Sequence, residues 1–91
     1  VVQSPTWGAT GVSHTPLFDF DVADWDFLDV YDEEGNFLYS HRRAAATDRH
    51  QIPVAYAFPA DTACWVGVTK IAFLGDVWFE STTWVQFRTG P

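Results

Sequence analysis

Methionine is missing from this chain altogether, and cysteine and lysine each occur once. One cysteine cannot close an internal disulfide, so a disulfide-stapled scaffold is excluded. Five Lys and Arg residues stand against twelve Asp and Glu, leaving a net charge of −7. That balance argues against nucleic acid and anionic membrane as partners. No run of 18 apolar residues is present, so no membrane-inserting helix is expected. No basic segment precedes an apolar one in the manner of a signal peptide. A start at Val1 without any Met reads as a processed product or a piece of a longer polypeptide. Helical periodicity is equally scarce. Only His41–His50 has helical composition, and it is too short and too irregular for more than one turn.

What the chain does have is apolar and aromatic material, 47% and 18% of its 91 residues. That suits one domain over residues 1–91 with ample core. The clearest pattern lies in the final third. Cys64, Val66 and Val68 alternate with Trp65, Gly67 and Thr69, and Val85 and Phe87 alternate with Trp84, Gln86 and Arg88. A period of two marks strands with one face on a core, and Gly75-Asp76 between them marks a hairpin. Upstream, Leu17–Val22 alternates with Phe18, Phe20 and Val22 inward and Asp19 and Asp21 outward. Phe27–Tyr31 is a strand of open parity, since Phe27 and Tyr31 compete with Leu28 and Val30 for the core. Residues 32–36 form a turn before a strand from Phe37. A short first strand is expected at Val1–Val2 or at Trp7. Ile52, Val54, Tyr56 and Phe58 alternate along a further strand, which should lie at an edge or begin at Pro53, because Pro53 lacks an amide hydrogen. About seven strands with turns every 8 to 12 residues predict an all-β, two-sheet antiparallel sandwich.

The segment Phe58-x-x-x-Thr62-x-Cys64-x-Val66-x-Val68 resembles the fibronectin type III pattern Leu-x-Pro-x-Thr-x-Tyr-x-Val-x-Val, with Pro59 one place early. Gly75 falls where that family has a glycine between its last two strands, and Phe87–Thr89 is similar to its closing segment. Val30–Gly35 resembles its third strand and following turn. The resemblance covers roughly residues 16–89 and implies a fibronectin type III-like, immunoglobulin-like sandwich. Such modules occur in cell-surface proteins, bacterial secreted enzymes and phage tails. Two departures stand out. Cys64 replaces the corner tyrosine, removing the hydroxyl-to-backbone bond that pins that corner. The tryptophan expected near Val22 is instead Trp25.

Candidate chemistry is thin. Eight of the twelve acids fall within residues 19–34, yet they do not match a calcium-loop pattern. They read as a solvated acidic face, with Asp24 and Asp26 as weak calcium candidates and no other cofactor expected. His14, His41 and His50 lack metal-ligand spacing, although His41 and His50 flank one loop and can meet. No nucleophile setting or carboxylate pair in a cleft supports catalysis, so an enzyme is not expected.

The outward tryptophans are the stronger signal. If Cys64, Val66 and Val68 face the core, Trp65 faces out, and Trp84 does likewise. Depending on the turn, Trp84 pairs with Trp65 or lies opposite Gly67 and diagonal to Trp65. Trp78 extends this patch in the same reading, giving a binding set of Trp65, Trp84, Trp78, Gly67 and Gln86. The expected function is a non-catalytic binding or spacer module of a larger secreted, cell-surface or virion protein. Its partner is a protein or neighbouring domain met through the aromatic face or the loops around Gly35 and Gly75. Carbohydrate stacked on Trp65 and Trp84 is the alternative, and a structural subunit of an assembly is a further one.

Overall fold

A computed structural model describes residues 2–21 and 23–91. The described chain is almost all β, with eight strands in two sheets and a single 3-10 turn. The strands are β1 (Val2–Ser4), β2 (Ala9–Val12), β3 (Leu17–Phe20), β4 (Phe27–Asp32), β5 (Phe37–Arg42), β6 (Arg49–Gln51), β7 (Ala63–Leu74) and β8 (Val77–Thr89). One sheet has the order β1-β3-β6 and the other β2-β8-β7-β4-β5. All pairings are antiparallel except β2 on β8, which is parallel.

The two sheets share one core. Phe18 and Phe20 from β3 meet Leu28 and Val30 from β4 and Cys64, Val66, Val85 and Phe87 from the final hairpin. Phe18 and Phe87 touch across the sheets at 5.8 Å. The inward parity read from β3 and from the final hairpin is therefore correct; Val22 lies outside the described residues. The open parity of β4 resolves with Leu28 and Val30 inside and Phe27, Asp29 and Tyr31 outside. Leu28 and Val30 sit on the same face as Val68 and Val66, their partners on β7.

The core tryptophan is Trp25, buried to 1% exposure and packed on Phe20 at 4.9 Å. It enters from the connection after β3 rather than from a strand. Its indole N–H donates to the Thr47 carbonyl at 2.8 Å, which gives the wet end of the ring a partner. The corner before β7 is held by a threonine of β8. The buried Thr89 hydroxyl donates to the Pro59 carbonyl at 2.7 Å and accepts the Thr62 amide at 2.9 Å. The corner is pinned from the opposite strand instead of from its own.

One expectation needs correction. Ile52 and Phe58 are buried, but the residues between them do not form a strand. Val54–Tyr56 is a 3-10 turn begun at Pro53, and Val54 and Tyr56 point outward at 84% and 56% exposure. A proline whose fixed φ suits a turn start, followed by few partners for a ladder, breaks the alternation. The stretch 41–50 contributes the end of β5 and the start of β6, with no helix.

Cys64 is fully buried. Burial, reinforced by the charges of Asp32 and Glu33, pushes its thiol up to about 11. At pH 8 the thiolate, which is the reactive form, is then a minute fraction. Iodoacetamide is expected to leave the native protein unmodified and to label the denatured chain fully. Fast labelling of the native protein would show that Cys64 is not in the core.

Candidate functional site: an aromatic cleft and a projecting hairpin

β7 and β8 are longer than the sheet that holds them. β4 pairs with β7 only as far as Phe27↔Thr69, whereas β7 and β8 continue to Leu74↔Val77 around a two-residue turn. Gly75 opens that turn with φ 62°. Glycine first is the arrangement of a II′ hairpin, whose twist matches the strands. Five residues on each arm therefore extend beyond the sandwich, about 17 Å at the usual strand rise.

The outer face of the sandwich carries the first site. In the observed register Trp84 lies opposite Gly67, Trp65 opposite Gln86, and Tyr31 opposite Trp65. The register is thus the diagonal one of the two that the alternation allowed. The six-membered ring of Trp84 lies over Gly67: a Cβ at position 67 would fall 2.7 to 2.9 Å from three of its atoms. Tyr31 leans on Trp84 with centroids 6.1 Å apart and planes at 52°. Trp7 stands edge-on against Trp65 at 5.4 Å and 74°. Together Tyr31, Trp65 and Trp84, with Asp32, Glu33 and Gly35 at one end, line an open cleft of about 350 Å³. That volume is at the lower end of small-molecule sites.

The acid end of the cleft is built by the β4–β5 turn. Asp32 accepts the amides of Glu34 and Asn36 at 2.9 and 2.8 Å and the Asn36 side-chain amide at 3.0 Å. Those bonds, chiefly from the Asn36 side chain, hold its carboxyl below the usual carboxylate range. Asp29, on the same outer face as Tyr31, is shifted the other way by partial burial.

Of the expected site residues, Trp65, Trp84 and Gly67 come together. Gln86 does not line the cleft; it faces a separate groove of about 180 Å³ beside Gly8 and Ala9. Trp78 is also elsewhere. It pairs with Phe73 at the hairpin tip, six residues or about 20 Å along β8 from Trp84. Tyr31 was hidden by the open parity of β4, and Trp7 by an irregular Gly-rich stretch with no periodicity to orient it.

The tip is the second site. Phe73, Leu74, Val77, Trp78 and Phe79 are all exposed, from 53% to 76%. By strand parity Ala72, Leu74, Val77 and Phe79 continue the core face, and Ile71, Phe73 and Trp78 continue the outer face. Apolar side chains thus cover both faces of a two-stranded ribbon. Burying each large one would contribute roughly 1.5–3 kcal/mol.

The carboxylates weighed for calcium brace the base of this ribbon. Asp24 pairs with Lys70, and that contact holds its carboxyl below the usual range. Asp26 accepts the Ile71 amide at 2.6 Å, while its own amide donates to the Thr69 carbonyl at 2.8 Å. Both acids are occupied by the protein itself, and no cluster of three or more His, Cys, Asp or Glu suited to a metal occurs among the described residues. His41 and His50 do meet, stacked at 4.0 Å, with the Tyr39 hydroxyl 2.7 Å from His50. Burial, with the neighbouring His41, lowers the pKa of His50.

Comparisons with family models, with curated proteins and with solved structures return no match.

Proposed function

We propose that this chain is a non-catalytic binding module of a larger secreted, cell-surface or virion protein, and that its projecting β7–β8 hairpin is the principal contact. The observation that carries this reading is the apolar tip. Phe73, Leu74, Val77, Trp78 and Phe79 stand in solvent on a ribbon that its own domain braces but does not cover. A surface so costly to hydrate is characteristic of interfaces, whose cores favour Trp and Phe. The fibronectin type III-like reading of the fold belongs to the same proposal. It is supported by the separation of β1, β3 and β6 from β4, β5, β7 and β8 and by the core tryptophan.

The test is a photo-crosslinking amino acid placed at Trp78 in the full-length parent protein, with the same probe at the exposed Ala45 as control. Adducts to another domain or protein are expected from position 78 and none from 45. Equal yields from the two positions, or none from 78, would defeat the proposal. A second reading, a structural subunit of an assembly, draws on the apolar cover of both ribbon faces, which a single flat partner cannot bury. It predicts concentration-dependent sedimentation that Phe73→Ser with Trp78→Ser abolishes; a strict monomer at high concentration counts against it.

A further inference from the structure

The sheet-face cleft combines π faces with fixed negative charge, and no Lys or Arg lines it. All five Lys and Arg side chains are engaged away from it. Arg42 lies over the Phe27 ring at 5.0 Å, and Arg88 donates to Asp61 at 3.0 Å. Lys70 pairs with Asp24, Arg43 bonds the Trp25 carbonyl, and Arg49 reaches Asp48 at 3.3 Å. The acid end retains Asp32, whose oxygens are held by three N–H groups, and the exposed Glu33. The field of these two carboxylates also reaches the sheet beneath, where it opposes ionisation of Cys64.

We infer that the cleft formed by Tyr31, Trp65 and Trp84 binds a quaternary ammonium group. This deepens the binding-module reading by giving a ligand class to the outer sheet face, and it rests on that face being a contact surface but not on the hairpin tip. Three features select this chemistry. The negative faces of aromatic rings attract a cation, most strongly those of Trp. Two of its rings are tilted, Tyr31 against Trp84 by 52°, so these walls do not form one flat platform. Tilted walls suit a rounded head group better than the flat ring of a sugar. Finally, a primary ammonium or guanidinium brings three or more N–H donors that need acceptors, and three of the roughly four acceptor sites of Asp32 are already taken, which leaves chiefly the exposed Glu33 at the rim. A tetraalkylated nitrogen has no donors to leave unpaired and loses less than a primary ammonium on entering an apolar cleft. Asp32 and Glu33 then act through their field at the rim.

The experiment follows the indole Nε1–H resonances of the intact chain while choline is added. Its uncharged carbon isostere, 3,3-dimethylbutan-1-ol, is titrated in parallel. Saturable shifts confined to two of the five indoles are expected, with Kd on the order of 1 mM. The isostere should bind at least about tenfold more weakly. Trp84→Ala should raise Kd by about fivefold or more, and the exposed Glu33→Gln by about twofold at low salt. Val54→Ala, exposed on the 3-10 turn, should leave the choline Kd unchanged. A peptide carrying trimethyllysine and its unmodified counterpart identify the source of the group. Tighter binding of the methylated peptide than of choline places the group on a protein side chain, and the reverse order places it on a small solute. No saturation by either cation to about 100 mM, or equal binding of the isostere, overturns the inference. Saturation by oligosaccharide alone overturns it too and makes the face a sugar platform. Crosslinks from position 78 without choline binding would leave the module reading standing and remove this one.

Discussion

Trp25→Ala is expected to lower the free energy of unfolding by about 3–5 kcal/mol, the usual cost of removing a large buried aromatic ring. Trp25 is 1% exposed, touches Phe20 at 4.9 Å and lies within 6.4 Å of both His41 and His50. It therefore ties the segment after β3 to β3, β5 and β6 together. The same segment supplies Asp24 and Asp26, which brace the projecting hairpin through Lys70 and the Ile71 amide. Loss of the ring should thus loosen the hairpin base as well as the core. Urea unfolding measures the first effect, and amide exchange at Ile71 measures the second. Trp25→Phe should cost less, because it keeps most of the packing and forfeits mainly the bond to the Thr47 carbonyl. A change under about 1 kcal/mol for the alanine variant would mean that the ring is not a core element.

Gly67→Val should act on the cleft rather than on stability. The new Cβ would fall within 2.7 Å of the Trp84 ring, so the indole must leave its seat on the sheet. The atoms that clash are the outer edge of a half-exposed side chain, which has somewhere to go. The better strand preference of valine offsets the weaker cross-strand packing, so stability should change by no more than about 1 kcal/mol. The cleft should nevertheless be dismantled. Trp84 would no longer lean on Tyr31, and choline affinity should fall by about tenfold. Nuclear Overhauser effects between the Trp84 ring and the backbone of residue 67 report the displacement of the indole directly. Their persistence in the variant would refute the packing account.

Much of this arrangement is legible along the chain wherever one face is buried. In β3, β7 and β8 the period of two assigns each side chain to a face, because a slip of one residue would turn every apolar group outward. It placed Cys64 inside and Trp65 and Trp84 outside but allowed two registers, and the structure shows the one with the turn at Gly75-Asp76. The same rule misled at Ile52–Phe58, where apolar residues alternate across a proline-started turn and only the two ends are buried. It was silent at Phe27–Tyr31, where both parities are apolar and the partner strand has to decide.

The sequence by itself determined an all-β chain, the direction of its core in the final third and an outward pair of tryptophans. All three follow from local alternation, which a strand expresses wherever it lies. Only the tertiary structure decided that Tyr31 and Trp7 join that pair, that Trp78 stands apart, and that the acids at 24 and 26 brace a ribbon. Those outcomes depend on which strands become neighbours and on where β4 stops pairing with β7. Such distances are set by long-range packing, and no repeat along the chain encodes them.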